Sequence, residues 1–200
     1  MKLYYSPASP FARKCLVVAH ELGLADRIQL LNEGVHPVNR NQTVVTANPL
    51  GQVPTLITDT GQAVHDSRVI CDYLNALGQG NLIPTDDTRW AVLTEQSMAD
   101  GLLAAALLCR YEVSARPEAL RWSDWTQGQM QKITDTLACF ESVIAQRGAS
   151  VDLGTIALAS ALGYLDFRFA DYDWRSANPG LAEWYGRFSQ RASMCATAPT

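Results

Sequence analysis

Three short segments of the chain carry groups that could act on one small ligand. They are Ser9 at the start of an apolar run, Val53 before Pro54, and Asp66 before Ser67. Each segment combines a residue typical of turns or caps with the first residues of a helix or strand. The helix or strand that begins at each segment must therefore position its candidate residue.

Ser9 stands where a helix should begin, because Pro10 suits the first helical position and apolar residues then recur at helical spacing until Gly23. One interpretation of Ser9 is a helix cap only. A second uses the same geometry: the positive helix end favours an anion, and the hydroxyl can donate to a bound thiolate. Such a bond lowers the pKa of a thiol from roughly 8.5 toward neutrality.

Val53 must be extended because the residue before a proline is pushed out of the helical region. Pro54 has no N–H, but it can open the strand predicted for residues 55–58. If the Val53–Pro54 bond is cis, the N–H and C=O of Val53 face outward and can pair with an extended peptide. An ordinary trans proline after a glycine turn is the alternative.

Asp66 and Ser67 open the next predicted helix, where an acid complements the helix dipole. Capping alone would explain this pair. The functional alternative adds a ligand amino group on Asp66 and a ligand carboxylate on the hydroxyl and N–H of Ser67. Gln52 is a further candidate for positioning the ligand.

The pattern along the chain predicts two structural regions. Residues 1–78 read as β-α-β followed by β-β-α, with strands at 2–6, 28–31, 55–58 and 63–64, the first two parallel. A linker follows at 79–87, and residues 88–200 read as helices only, at 88–114, up to Gly148, at 154–167 and at 179–191. Asp152 and Thr155 should cap the third of these helices, which is apolar nearly all round and belongs in the core.

The run Gly51-Gln-Val-Pro-Thr-Leu, a hairpin and a helix opened by Asp-Ser together resemble the glutathione-binding half of the glutathione S-transferases. The run Ser9-Pro-Phe-Ala-Arg resembles the serine-type site of that family, and equally the omega class, where cysteine takes the place of this serine. The resemblance covers nearly the whole chain. It implies an N-terminal thioredoxin-like domain followed by a C-terminal helical bundle.

The resemblance also implies roles for the residues above. Glutathione would be the co-substrate, bound by Gln52, Val53, Pro54, Asp66 and Ser67, with Ser9 as the catalytic residue that stabilises its thiolate. The thiolate would attack a small, largely apolar electrophile. The alternatives are a non-catalytic glutathione-binding or scaffold protein on the same fold, and a glutathione-dependent isomerase or peroxidase.

Several further residues are weaker candidates. Phe11, Tyr111 and Trp122 could line an apolar co-substrate pocket, although aromatic residues at helical spacing more often belong to the core. Asp100, a lone acid in an apolar helix, is expected to be exposed to solvent. The resemblance implies an alternative, in which a residue of this helix faces the ligand of a partner subunit. Other candidates are Tyr4, Tyr5 and Ser6 as substitutes for Ser9, and Asn39 and Arg40 for the glycyl carboxylate of glutathione.

The composition and spacing of the residues limit which classes of partner we expect for this protein. The 200 residues include 16 basic and 20 acidic side chains, a net charge of −4, and no Lys/Arg run, which argues against nucleic acid. No uninterrupted apolar run approaches a membrane span, and the three histidines show no metal-ligand spacing, so we expect neither a membrane nor a metal. Five scattered cysteines suit a reducing cytoplasm. The apolar helix at 88–114 and the resemblance together predict a homodimer.

Overall fold

The first part of the chain forms a small mixed sheet with helices packed on it. The computed structural model describes all 200 residues. The elements of this part are β1 (Lys2–Tyr5), α1 (Pro10–Glu21), β2 (Gln29–Asn32), α2 (Gln42–Ala47), β3 (Thr55–Ile57), β4 (Ala63–Val64) and α3 (Ser67–Leu77).

The sheet has the strand order β2-β1-β3-β4. β1 and β2 are parallel, with Leu3 opposite Leu30, because α1 carries the chain across one face of the sheet between them. β3 runs antiparallel to both β1 and β4, with Leu56 opposite Leu3 and Val64. The predicted βαβ unit and hairpin are confirmed, and β2 begins one residue later than predicted.

The second part of the chain is helical throughout, and the predicted fold class is confirmed. Its helices are α4 (Thr88–Ser114), α5 (Ser123–Arg147), α6 (Leu153–Arg168), α7 (Trp174–Ala177), α8 (Pro179–Phe188) and α9 (Ala192–Ala196). The segment at 79–87 contains no helix or strand. Within it, the C=O of Leu82 accepts a hydrogen bond from the N–H of Leu153 at 2.8 Å. The exact domain bounds given above stay a prediction.

The prediction of a single last helix over 179–191 was wrong. α8 ends at Phe188, and Arg191 is extended with φ −61° and ψ 142° before α9 begins. The guanidinium of Arg191 binds the carboxylate of Glu21 on α1, at N–O distances of 2.8 and 2.9 Å. This contact ties the end of the chain to the first domain, and local helix propensity does not reveal it.

α6 lies at the centre of the molecule, as predicted. Every residue from Leu153 to Leu165 is buried. Its first turn is closed by a reciprocal capping pair, since Asp152 accepts from the N–H of Thr155 and Thr155 accepts from the N–H of Asp152, both at 3.0 Å. Both halves of the chain pack around this helix in one continuous core.

α4 is the longest helix, with 27 residues, and packs against α5 and α6. Its length and composition would fit a membrane-spanning helix, but half of its most apolar stretch is buried inside the protein. The core helix of a folded domain can have the same length and composition, so these two properties alone are weak evidence for a membrane span.

Candidate functional site

A cavity of about 620 Å³ lies between the sheet domain and the helices. We call its two sides the sheet-domain wall, contributed by residues 6–68, and the helical wall, contributed by residues 100–168. The sheet-domain wall contains all of the residues proposed to bind or activate glutathione, namely Ser9, Gln52, Val53, Pro54, Asp66 and Ser67. Segments far apart in the sequence therefore meet around one space.

The loop before β3 presents the backbone of Val53 to this cavity. The Val53–Pro54 peptide bond is cis, and neither the N–H nor the C=O of Val53 has a hydrogen-bond partner within the chain. The preceding carbonyl of Gln52 is held by the side chains of Asn48 and Thr55, at 3.2 and 2.9 Å. Two unpaired backbone groups at a fixed loop can pair with an extended peptide.

Gly51 allows this loop to turn. Its φ is +63°, a region that side chains strongly disfavour, and a Cβ added there would lie 3.1 Å from a methyl carbon of Val45. The glycine therefore places Gln52 and Val53 at the cavity.

The start of α3 offers one charged and one neutral group. Asp66 is the N-cap, and one of its carboxylate oxygens accepts from the N–H of Arg68 at 2.7 Å. Its second oxygen makes no hydrogen bond within the chain, and the residue is exposed to solvent. The hydroxyl of the buried Ser67 is also unpaired within the chain. This arrangement can hold an ammonium group beside a carboxylate.

The start of α1 is capped by Ser9, whose Oγ accepts from the N–H of Ala12 at 3.3 Å. Accepting this bond leaves the hydroxyl hydrogen available to donate into the cavity. Of the alternatives to Ser9, only Ser6 lines the cavity, while Tyr5 packs against the core. Capping and donation to a ligand are therefore compatible at this serine.

Asp100 is buried and ion-paired, so the expectation that it lies in solvent was wrong. Its carboxylate accepts from the ammonium of Lys14 at 2.6 and 2.8 Å and from Nε of Arg68 at 3.0 Å. The Lys14 side chain is fully buried and that of Asp100 is 3 % exposed. The pair joins α1 of the sheet domain to α4 of the helical wall. Sequence reasoning missed Lys14, since nothing nearby in the chain marks it as buried.

The helical wall is apolar in its middle and ends in basic residues. Tyr111 and Tyr164 line it, and burial raises the pKa of both hydroxyls, so both stay protonated at neutral pH. Phe11 lines the cavity from the other side. Trp122 lies outside the cavity, with its side chain exposed to solvent.

Two residues suggested for the glycyl carboxylate do not line the cavity. Arg40 donates instead to the carbonyl of Pro49, and Asn39 is exposed on the loop before α2. These positions give no support for that part of a glutathione site.

No cysteine lines the cavity. Cys15 and Cys71 are buried, with their sulfur atoms 3.8 Å apart. Burial, followed by the bond with Cys71, raises the pKa of Cys15 well above its ordinary value, so it stays a thiol. No group of three His, Cys, Asp or Glu side chains is placed to hold a metal ion.

Comparison with known proteins identifies the family. Residues 8–77 match the glutathione S-transferase N-terminal domain, and residues 123–187 match the C-terminal domain. The chain is 33% identical to the uncharacterized GST-like protein YibF of Escherichia coli (strain K12), over all of this chain and 98% of the relative. The chain belongs to the glutathione S-transferase family.

Solved structures of other glutathione S-transferases share the whole fold. A glutathione transferase family member from Pseudomonas fluorescens Pf-5, with bound glutathione, has a TM-score of 0.97 and 44% identity, covering 100% of this chain and 98% of that one. A second structure from that bacterium holds S-(propanoic acid)-glutathione, with a TM-score of 0.92, 44% identity and full coverage of both chains. A relative from Methylobacillus flagellatus KT, also with glutathione bound, has a TM-score of 0.88 and 35% identity, covering 100% and 99%.

Proposed function

We propose that this glutathione S-transferase activates the thiol of glutathione as a thiolate and transfers it to an electrophilic, largely apolar co-substrate. One observation carries the proposal. The hydroxyl of Ser9, at the start of α1, lines the same cavity as the unpaired backbone of Val53 and the unpaired groups of Asp66 and Ser67. The position of this hydroxyl in the cavity supports a role beyond capping the helix.

Glutathione would lie along the sheet-domain wall. Its cysteinyl N–H and C=O would pair with the backbone of Val53, as one strand pairs with the next. Its γ-glutamyl ammonium would meet Asp66, and the γ-glutamyl carboxylate the hydroxyl and N–H of Ser67 at the helix start. The solved relatives with bound glutathione support glutathione as the ligand of this cavity.

The thiol of the bound cysteinyl residue would then lie near the start of α1. Donation by Ser9 and the positive end of the helix both favour the thiolate, which lowers the pKa of the thiol. The thiolate attacks the electrophilic carbon, a C–S bond forms, and the leaving group departs with its electron pair. The thiol proton passes to solvent, and Ser9 itself forms no covalent bond.

The helical wall would hold the co-substrate. Its apolar and aromatic side chains include Leu107, Tyr111 and Tyr164, opposite Phe11 of the sheet-domain wall. Apolar lining with a few polar groups is typical of small-molecule sites. The Pseudomonas fluorescens relative with a bound S-substituted glutathione supports a cavity with room for both parts of a conjugate.

The direct test is an ultraviolet titration of the thiolate of bound glutathione in the wild type and in Ser9→Ala. We expect a higher thiol pKa and slower conjugation of a chloronitrobenzene in the variant, with glutathione affinity retained through Val53, Asp66 and Ser67. Loss of the cap should also lower the free energy of unfolding by about 1 kcal/mol.

Equal thiol pKa values in the two proteins would remove Ser9 from the mechanism and direct attention to Ser6. Ser9→Cys provides a second variant, because a thiol at a helix start forms mixed disulfides with glutathione. Conjugation should then fall while thiol exchange appears. Glutathione binding without any conjugation above the uncatalysed rate would identify a binding protein on this fold instead.

We further propose that the protein is a homodimer in a reducing cytoplasm. Exposed apolar side chains on α3 and α4 support a self-association surface, with Val69 53% and Trp90 68% exposed. All five cysteines are free thiols, which suits a reducing compartment. Sedimentation at micromolar concentration should give twice the chain mass, and a monomer would contradict the dimer.

A further inference from the structure

Two arginines without acidic partners line one end of the cavity. Arg110 on α4 and Arg168 on α6 both belong to the helical wall, and neither guanidinium forms an ion pair or a hydrogen bond within the protein. Arg110 lies three residues after Leu107 on the same face of α4, and Arg168 lies one turn beyond Tyr164 on α6. The two helices thus bring both charges to the same end of the wall.

The carboxylates next to these arginines in the sequence are bound elsewhere. Glu112 accepts from Nε of Arg116 at 2.7 Å and from the N–H of Trp122 at 2.8 Å. Asp166 accepts from both terminal nitrogens of Arg175, at 2.6 and 2.7 Å. Neither of these two carboxylates therefore forms an ion pair with Arg110 or Arg168.

The acidic residue that lines the helical wall, Asp100, is also paired with basic side chains. Asp100 is held by Lys14 and Arg68 and lies ten residues before Arg110 on α4. Ten helical residues span roughly 15 Å, so Arg110 lies far from the start of α3, where the γ-glutamyl group is placed. The two positive charges therefore lie away from the proposed γ-glutamyl site, on the wall proposed to hold the co-substrate.

One of the two guanidinium groups packs on an aromatic ring, and both arginines lie near Tyr164. The Arg168 guanidinium stacks on the ring of Phe167, 4.0 Å from its centroid, which engages its face and leaves its N–H edges free. Both arginines are close enough to Tyr164 to oppose the rise in its pKa that burial causes. Two arginines beside tyrosine hydroxyls form a set of donors suited to a carboxylate.

We propose that Arg110 and Arg168 select electrophiles that carry a carboxylate, and bind that carboxylate in the co-substrate and in the conjugate. This selection rests on the proposed function, since it acts only on a substituent attached to the sulfur of glutathione. The co-substrate class is an apolar or aromatic electrophile with an acid group at the end away from the reacting carbon.

A halonitrobenzoate illustrates the step. The glutathione thiolate attacks the ring carbon that bears chlorine, a C–S bond forms, and chloride leaves with the electron pair of the C–Cl bond. The carboxylate takes no part in bond making. The ion pairs between this carboxylate and the two arginines orient the ring. They also increase the fraction of enzyme that holds the ring beside the thiolate.

The first experiment compares isosteric ligands by calorimetry: S-(2-carboxyethyl)glutathione and S-(2-carbamoylethyl)glutathione, with unsubstituted glutathione as reference. We expect the acid to bind the wild type at least about tenfold more tightly than the amide, the factor one charge-assisted hydrogen bond supplies. For 4-chloro-3-nitrobenzoate and 4-chloro-3-nitrobenzamide, kcat/KM divided by the uncatalysed rate constant of each compound with glutathione should show the same preference.

The second experiment repeats both comparisons in Arg110→Gln/Arg168→Gln. The preference for the acid should fall below twofold, while the affinity for unsubstituted glutathione stays within twofold of wild type. Arg187→Gln is the control, because Arg187 is exposed on α8 and pairs with Glu183 away from the cavity. It should keep the full preference.

Equal affinities for acid and amide in the wild type would overturn the selection. The selection would also be overturned if the double variant lost affinity for unsubstituted glutathione as much as for the acid. The arginines would then bind the glycyl carboxylate of glutathione. Failure of the proposed function looks different: glutathione would not bind, or the neutral benzamide would not be turned over. In that case the acid preference would have no conjugation to act on.

Discussion

The two walls of the cavity are built in different ways. On the sheet-domain wall the groups proposed to bind ligand are backbone atoms and helix caps, fixed by a few neighbouring residues, such as Gly51 before Val53. On the helical wall they are long side chains from α4 and α6, such as Arg110 and Arg168, brought together only by helix packing. We expect the first arrangement to hold one ligand closely, and the long side chains of the second to be replaceable with less effect on the fold.

The ion pair between Lys14 and Asp100 joins these two walls, and breaking it should have the largest effect. Lys14→Met leaves Asp100 buried with only Arg68, which is half exposed. Removing one partner from a buried pair costs roughly 3–5 kcal/mol, and the remaining arginine should keep the loss near the lower figure, about 3 kcal/mol. Urea unfolding followed by circular dichroism measures this loss.

A second variant tests whether the cost comes from the uncompensated charge. Lys14→Met/Asp100→Asn removes both charges, so it should regain much of the lost free energy of unfolding. A single variant as stable as wild type would mean that the pair does not couple the walls. A double variant less stable than the single one would mean that Asp100 acts mainly through Arg68.

Asp66→Asn sharpens the comparison on the sheet-domain wall. Asparagine caps helices as well as aspartate does, so the bond to the N–H of Arg68 and the start of α3 should remain while the charge is lost. Glutathione affinity should fall by about 1.5–3 kcal/mol, roughly 10- to 150-fold. Calorimetry measures it, with Asp72→Asn on the exposed side of α3 as the matched control.

An unchanged affinity in Asp66→Asn, with thermal stability intact, would mean that the γ-glutamyl ammonium binds elsewhere. An equal loss in the Asp72→Asn control would point to the general negative charge of α3 instead. Either result would separate the start of α3 from the glutathione site.

The same difference between the walls explains what the sequence could predict. The residues proposed for glutathione lie in short motifs whose local rules are strong: serine before proline, valine before proline, and an acid at a helix start. The parallel pairing of β1 and β2 was equally accessible, because a helix between two strands dictates it. Short-range sterics and capping decide such features.

The features that the sequence did not predict depend on distant parts of the chain. Asp100 looked solvated because its partner Lys14 lies 86 residues earlier. Arg110 and Arg168 are ordinary helical residues until packing brings α4 against α6. The break between α8 and α9 lies where Arg191 contacts Glu21, 170 residues away in the chain. Residue spacing alone carries no signal for such contacts.

Glu21 and Arg191 provide a second link between the domains, and its disruption should have the smallest effect. Like Lys14, Glu21 belongs to α1, but its side chain is 14% exposed and that of Arg191 is 37% exposed, against a fully buried Lys14. Partly exposed pairs contribute little because water and salt screen them. Glu21→Gln should therefore lower the free energy of unfolding by less than about 1 kcal/mol at neutral pH.

The pH dependence of this loss distinguishes a charge effect from a packing effect. The Arg191 guanidinium, and after it the Ser193 hydroxyl, hold the pKa of Glu21 below its usual range despite partial burial. The unfolded chain has the higher pKa, about 4.3, so the stabilisation is fully present above that pH. It is lost as the pH falls through the lower pKa of the folded state. Urea midpoints of wild type and Glu21→Gln should therefore differ at neutral pH and converge in acid, whereas a constant difference would show that the glutamate acts through packing.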